Sequence, residues 1–195
     1  RLLSRGLGDV YKRQEQNNVV SVQPINSAYM PRSGDLIIGF VAEVRNNLWF
    51  FDVNGPFQAL LPMSLAPWKV EFGSTRQHLG IGDAALARIQ EVDETHNMVL
   101  TMKGVGLRRL NEGAVVSIPV NLIDTLRGDN NSTLSRIRDA TDCRMIVGDN
   151  GRVWIHGDAE AMHVARQLIQ TLNEEGHEKT FQSAVEALEN ERGEH

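Results

Sequence analysis

The residues that could do chemistry are concentrated in one polar stretch, "TLRGDNNSTL", which begins at Thr125 and ends at Leu134. Gly128 and three small polar residues separate a short apolar run from a segment with helical spacing. Such a loop can bring backbone N–H groups close to the phosphates of a nucleic acid. A polar turn that only caps the following helix has the same composition. The stretch therefore predicts either a phosphate-gripping loop or a helix cap.

The other reactive side chains do not form a catalytic or metal site. No pair of histidines has metal-ligand spacing within a motif, and the single Cys143 can form neither an internal disulfide nor a zinc cluster. No acidic pair is marked as an acid–base couple, and "GVGLRR" has too few glycines for a phosphate loop. We therefore expect no metal and no cofactor. The lone cysteine is typical of a reducing cytoplasm.

Composition predicts a globular protein with one large or two small domains. The chain has 195 residues, of which 41% are hydrophobic and 23% charged. Its net charge of -5 argues against a strongly basic nucleic-acid binder, although the acidity is concentrated in residues 158–195, with 9 acidic and 3 basic side chains. Any grip on a nucleic acid would come from a local patch, a stacking surface or partner subunits. No apolar run is long enough for a transmembrane helix.

The N-terminal stretch "RLLSRGLGDVYKRQ" has no apolar core and is therefore not a secretory signal. Its four basic residues could form a nucleic-acid-binding arm. We prefer the interpretation that residues 1–18 are a non-native leader, and the fold prediction leaves them out.

From Asp35 onward, short apolar segments alternate with Gly, Pro and Asn. In the second segment, Trp49, Phe51 and Val53 share the face predicted to be core, and Phe50 lies on the opposite face. Five segments with one long connection predict a small barrel of the OB type, with Gly39 allowing the first strand to bend. The segments are "DLIIGFVAEV", "LWFFDV", "FQALLP", "AALARIQEVD" and "MVLTMK".

After Gly104 the pattern changes to mixed strands and helices in the order β-α-α-β-β-α. Asp149-Asn150-Gly151 predicts a tight hairpin, and Asp158 is placed to cap a long helix. An acidic, amphipathic tail helix follows. The predicted strands are "AVVSIPV", "CRMIVG" and "RVWIHG", and the first two helices are "NLIDTL" and "STLSRIRDAT".

Two family resemblances account for this order. Residues 34–104 resemble the OB-fold RNA-binding domain named after the largest small-subunit ribosomal protein, here called the S-one domain. Residues 105–176 resemble a type I KH domain, and Gly104-Val105-Gly106 is the expected join. The order S-one then KH, with "GDLIIGFVAEV", "LTMKGVGL" and "VGDNGRVWIHG", resembles the archaeal exosome cap subunits of the S-one/KH kind. The resemblance implies an α+β multidomain fold, with a five-stranded OB-type barrel followed by a KH domain.

The resemblance also implies a function. Cap subunits of this kind are non-catalytic, and three copies sit on a hexameric ring of RNase-PH-type subunits that degrades RNA from the 3′ end. Their S-one domains surround the pore and capture single-stranded RNA. The family has an N-terminal domain, of which residues 19–33 would be a remnant. Residues 177–195 would form the acidic tail helix.

In the S-one domain the resemblance implies that RNA meets the second and third strands, where aromatic side chains stack on bases. Phe50 falls on one aromatic position of the pattern, whereas the other aromatic position is occupied by Asn47 and the histidine position by Pro62. The acidic position is kept as Asp93. The basic residues that could neutralise phosphates are Arg45, Arg88 and Lys103.

In the KH domain the resemblance places the Gly-x-x-Gly loop, which grips the RNA backbone, at residues 128–131. Gly128 fills the first glycine position and Asn131 the second, and asparagine tolerates left-handed dihedrals. Asn130 lies in the middle of the loop, next to Asp129, whose charge should repel a phosphate. We favour capping by Asn131 or Ser132 over phosphate binding. Arg127 and Arg136 remain candidates for a weak electrostatic grip.

Three other functions are consistent with parts of this pattern. A free-standing S-one/KH protein linked to translation or RNA metabolism would be expected to keep a basic KH loop. Bacterial polynucleotide phosphorylase carries KH before S-one, after a catalytic core that this chain does not contain. The other archaeal cap type carries a zinc ribbon, which one cysteine cannot build.

Overall fold

The computed structural model describes residues 11–16, 19–24, 29–173 and 177–193. Its first elements are two antiparallel strands, β1 (Tyr11–Gln16) and β2 (Val19–Pro24). The sequence-based prediction left residues 1–18 out of the fold, whereas the structure pairs Tyr11–Gln16 with the strand that follows. Residues 1–10, which belong to the same predicted leader, lie outside the described residues.

The next strands close into a barrel. They are β3 (Leu36–Val44), β4 (Leu48–Asp52), β5 (Ala59–Pro62), β6 (Ala84–Val92) and β7 (Met98–Thr101). The sheet order is β3-β4-β5-β7-β6, and β3 also pairs with β6, so the five strands form a closed ring. β5 and β7 run parallel, and the other pairs run antiparallel. The predicted OB-type barrel is therefore confirmed.

A sixth strand, β8 (Arg108–Leu110), pairs with β6 on the outside of the ring. The join between the two domains was expected at Gly104–Gly106. Because β8 still belongs to the barrel sheet, the chain passes to the next sheet through residues 111–113.

The long connection between β5 and β6 closes one end of the barrel. It was predicted to be irregular, and it contains a 3-10 turn at Met63–Leu65 and the single-turn helix α1 (Thr75–His78). The connection is tied to the barrel because the indole nitrogen of Trp49 donates to the Leu79 carbonyl at 3.0 Å. Trp49 and Leu79 are both fully buried, so this loop is part of the barrel core.

The alternation in β4 correctly predicted the barrel core. Trp49, Phe51 and Val53 are fully buried, and Phe50 on the opposite face is only partly buried. Gly39 has a packing role as well, since a Cβ on it would lie 2.9 Å from the Phe51 ring. The pairing irregularity in β3 falls slightly later, between Val41 and Glu43.

The second domain has the predicted β-α-α-β-β-α order, which is the type I KH topology. The elements are β9 (Ala114–Ser117), α2 (Ile123–Arg127), α3 (Ser132–Thr141), β10 (Arg144–Val147), β11 (Arg152–His156) and α4 (Ala159–Gln170). The antiparallel sheet has the order β10-β11-β9, with β11 in the centre. As predicted, the Asp158 carboxylate caps α4 by accepting from the Ala161 N–H at 2.8 Å.

A fifth helix, α5 (His177–Gly193), packs on the KH helices. Phe181 and Val185 are fully buried in the KH core, so the apolar face of the predicted tail helix packs against the KH domain. None of the helices in the described residues is long and apolar enough to cross a membrane.

The KH sheet is covered on both faces. Val153 and Ile155 point into the KH core, and Trp154 between them joins the core of the barrel. The indole nitrogen of Trp154 donates to the Glu112 carbonyl at 2.7 Å, which satisfies its one donor at the interface. This double coverage explains why "RVWI" is buried at every position rather than at alternate ones.

Candidate nucleic-acid interface

The turn between β10 and β11 docks on the edge of β3 and fixes the KH domain against the barrel. The Asp149 N–H donates to the Leu36 carbonyl at 2.7 Å, and its carboxylate accepts from the Leu36 N–H at 2.8 Å. The fully buried Asn150 amide accepts from the Ile38 N–H at 3.3 Å and donates to the carbonyls of Ile38 and Val53 at 2.9 and 2.8 Å. β4 pairs with β3 only from residue 40 onward, so the turn satisfies backbone groups that β4 does not reach.

Arg152 reinforces the same contact from the start of β11. Its guanidinium donates to the carbonyls of Asp52 and Ile38 at 2.7 and 3.2 Å and lies 3.3 Å from the Asp52 carboxylate. It also lies 4.8 Å from the centre of the Phe40 ring. Burial lowers the pKa of Arg152, and the neighbouring Asp52 carboxylate opposes that shift. Arg152 therefore acts within the domain junction.

The loop at residues 128–131 keeps the backbone shape that the resemblance implied. Gly128 has φ 67° and ψ -179°, and Asn130 and Asn131 are left-handed, with φ 51° and 60°. The tolerance of asparagine for this region thus preserves the loop without a second glycine. Capping by Asn131 is wrong, because Asn131 precedes α3 and its side chain makes no hydrogen bond to that helix. The Ser132 N–H instead donates to the Asp129 carbonyl.

The two arginines beside this loop are engaged in ion pairs. Arg127 lies 2.9 Å from the Asp149 carboxylate and also donates to the Val147 carbonyl at 3.0 Å. Arg136 makes two parallel bonds to Glu189 on α5, at 2.8 and 2.7 Å, and this contact raises the pKa of Arg136 and lowers that of Glu189. A phosphate would have to compete with an internal carboxylate at both positions.

The β3–β4 hairpin presents a different surface. The Arg45 guanidinium lies 4.9 Å from the centre of the Phe50 ring and 2.7 Å from the Glu43 carboxylate. Asn47 is exposed in the turn between the two strands. Since a nucleobase stacks on an arginine plane or an aromatic face, a partly exposed Arg–Phe pair can accept one. This hairpin brings together Arg45, Asn47 and Phe50.

The remaining predicted barrel residues lie apart from that hairpin. Arg88 is exposed opposite Leu36, at the other end of β3, and donates to the Gly34 carbonyl at 2.7 Å. Lys103 is exposed beyond the end of β7. Asp93 organises the turn before β7, since its carboxylate accepts from Thr95 and Asn97, which lowers its pKa to about 2. The structure therefore gives Asp93 a role in the turn.

Comparison with known proteins agrees with this architecture. The KH domain family matches residues 113–171. The exosome complex component Rrp4 of Thermoplasma volcanium is 32% identical over 175 residues, which cover 90% of this chain and 74% of that protein. Its counterpart in Thermoplasma acidophilum is 33% identical with the same coverage. The chain belongs to the Rrp4 family of exosome complex components.

A solved structure extends the Rrp4 comparison to the fold. A protein assigned as an exosome complex RNA-binding protein superposes with a TM-score of 0.73 and 26% identity, covering 85% of this chain and 99% of the other. The resemblance to the archaeal S-one/KH cap subunits is therefore confirmed.

The sequence alone did not indicate that the motif "GDNGR" joins the two domains. "GDNGR" was recognised as a family feature, but its side chains were not predicted to join the domains. Asp149, Asn150 and Arg152 do so through Leu36 and Ile38, more than a hundred positions earlier in the sequence. One signal in the sequence could have indicated this. Asn150 and Arg152 are polar residues next to the apolar run "VWI", and polar side chains that are buried need hydrogen-bonding partners.

Proposed function

We propose that this protein is a non-catalytic RNA-binding cap subunit of an archaeal, cytoplasmic exosome. It would capture single-stranded RNA at the pore of an RNase-PH-type hexameric ring, in three copies, for degradation from the 3′ end. Membership of the Rrp4 family and the S-one barrel followed by a KH domain support this role. The observation that carries RNA capture is the partly exposed Arg45–Phe50 pair on the β3–β4 hairpin.

We further propose a division of labour between the two domains. The barrel face makes the principal RNA contacts, and the KH domain orients the barrel. The supporting observation is that Arg127 and Arg136 are neutralised by Asp149 and Glu189, while Asp129 is exposed in the loop itself. Three barrels around one pore would bind a single RNA more tightly than one barrel, through avidity.

Assembly is tested by light scattering of this chain mixed with an archaeal RNase-PH-type hexamer. We expect a mass increase equal to three copies of the chain, each of 21.7 kDa. The same measurement on a chain extended with a full N-terminal domain controls for segments that contribute to docking. If neither form shifts the hexamer mass, the cap assignment is wrong and the free-standing RNA-binding alternative takes its place.

Replacing Phe50 should weaken RNA capture. We expect Phe50→Ala to reduce poly(A) affinity of the assembled ring by about tenfold per occupied site, because base–aromatic stacking contributes about 1–3 kcal/mol per base. Phe50→Leu keeps an apolar side chain in the strand and should weaken binding almost as much. The matched control is Asn131→Gly, which keeps the left-handed loop and should change affinity less than twofold. Fluorescence anisotropy with labelled oligo(A) measures all three, and equal affinities would contradict the stacking proposal.

A further inference from the structure

A second surface of the barrel has the composition of a nucleotide-binding cleft. It is an open cleft of about 440 Å³ between the long β5–β6 connection and β8. Two arginines, a histidine and a tryptophan line it, together with amide and apolar side chains. The lining residues are Pro67, Trp68, Gln77, His78, Leu107, Arg108, Arg109 and Asn111.

The aromatic side of this cleft is already arranged for stacking. The Trp68 and His78 rings are stacked, with centres 5.3 Å apart and planes at 21°. Trp68 is partly exposed, whereas Trp49 and Trp154 are buried. A base that enters the cleft can therefore add to an existing stack without rearranging the barrel core.

The cationic side of the cleft is formed by Arg108 and Arg109. The Nε of Arg109 is buried without a hydrogen-bond partner, although its other nitrogens lie 3.3 Å from the His78 carbonyl and 3.3 Å from the Asp83 carboxylate. Because this nitrogen is buried and the guanidinium also lies beside the Asp83 carboxylate, Arg109 supports the wall of the cleft, and Arg108 is the cation that a phosphate can reach. Arg108 is exposed, and its guanidinium donates to the Gly106 carbonyl at 3.0 Å and lies 5.6 Å from the Trp154 ring centre.

The β5–β6 cleft differs from two other clefts on the described surface in the charge of the residues that line it. The cleft between α3 and α5 contains Asp139, Asp142 and Glu189 beside its arginines, and the cleft at the domain junction contains Asp35, Asp124 and Asp149. No acidic residue is among the side chains that line the β5–β6 cleft. The Asp83 carboxylate, outside the lining, lies 3.3 Å from the Arg109 guanidinium.

The cleft is also next to the Arg45–Phe50 pair. Helix α1 begins at Thr75, whose hydroxyl donates to the Arg45 carbonyl, and ends at His78, which lines the cleft. A helix of four residues spans only about 6 Å at 1.5 Å per residue. One extended polynucleotide can therefore reach from one surface to the other around α1.

We propose that the β5–β6 cleft is a second binding site for the same single-stranded RNA, in addition to the Arg45–Phe50 surface. A base stacks beside Trp68 and His78, and the adjoining phosphate binds the exposed guanidinium of Arg108. This inference rests on the proposed RNA-binding function and extends it to a named subsite.

The test uses the full chain and labelled oligo(A). We expect RNA to quench tryptophan fluorescence, and the quenching to disappear in Trp68→Phe, because Trp49 and Trp154 are buried. Arg108→Gln should weaken binding by about fivefold at low salt and lower the slope of log affinity against log salt by about 0.7, the value for one phosphate contact with single-stranded nucleic acid. Arg108→Glu should weaken it further, and Arg166→Gln, an exposed arginine on α4, is the matched control and should change nothing.

The outcomes separate the two proposals. If RNA binds the unmodified chain but causes no Trp68-dependent quenching, or if Arg108→Gln binds like the Arg166→Gln control, the second site is wrong and the Arg45–Phe50 proposal stands. If the unmodified chain binds no RNA either alone or on the ring, both proposals fall. An oligomer of abasic sugar–phosphate should lose the quenching but keep the Arg108-dependent salt slope, and equal quenching by this probe would contradict base stacking.

Discussion

Asn150→Ala is expected to lower the free energy of unfolding by about 3 kcal/mol or more, since each buried polar group left unpaired costs about 1–3 kcal/mol. The Asn150 amide is fully buried, and removing it leaves the Ile38 N–H and the Val53 carbonyl without the partners that they now have at 3.3 and 2.8 Å. The Ile38 carbonyl keeps only its longer bond from Arg152, at 3.2 Å. Because Asn150 is fully buried, the backbone groups that it binds lose their partners in the interior of the protein.

Differential scanning calorimetry measures this change. The midpoint should fall by about 6–12 °C, because 1 kcal/mol corresponds to about 2–4 °C for a chain of this size. The single transition should also separate into a barrel and a KH transition, as the lost bonds connect the two domains. Asn46→Ala, at an exposed position in the β3–β4 turn, is the matched control and should stay within about 0.5 kcal/mol of the unmodified chain. A midpoint change as small as that of the control would show that the turn does not hold the domains together.

The architecture was predictable because its signals are local. Alternation in "LWFFDV" depends only on the two-residue period of a strand, and it correctly assigned Trp49, Phe51 and Val53 to the core. The cap at Asp158 and the hairpin at Asp149–Gly151 likewise depend on a few neighbouring residues. Such features can be inferred without knowing which parts of the chain meet in space.

The candidate site was less predictable because its electrostatics depend on distant residues. Arg136 looks like a free cation in the sequence, but Glu189, which neutralises it, lies 53 positions away on α5. Arg127 is similarly bound to Asp149, 22 positions later. The cleft residues Trp68 and Arg108 also come from separate elements, and neither has a local pattern that indicates their proximity.

The contacts of Arg127 explain why the loop at residues 128–131 keeps its shape even though the proposed RNA contacts lie on the barrel. Gly128 ends α2 next to Arg127, and Arg127 binds the Asp149 carboxylate that also accepts from Leu36. The loop is thus connected to the domain junction through a single carboxylate. We infer that the junction, rather than a phosphate, requires the loop geometry.

Gly128→Ala is therefore expected to destabilise the protein by about 3 kcal/mol, since its φ and ψ lie in a region essentially restricted to glycine, where other residues cost about 1–3 kcal/mol, before any steric clash. A Cβ at this position would also lie 2.2 Å from the Thr133 hydroxyl and 2.8 Å from the Thr133 backbone nitrogen. Gly106→Ala is the matched control, because Gly106 has φ 81° but no atom within 4 Å of its Cβ position. That variant should lose only about 1 kcal/mol, the cost of a left-handed backbone.

Chemical denaturation measures both variants, and oligo(A) anisotropy at a temperature where both remain folded measures their RNA affinity. The folded Gly128→Ala protein should bind RNA within twofold of the unmodified chain, because the proposed contacts lie on the barrel. Equal destabilisation by the two substitutions would show that the contact with Thr133 is unimportant. A folded Gly128→Ala protein with much weaker RNA binding would instead assign the loop a direct role in gripping RNA, and the division of labour between the two domains would be wrong.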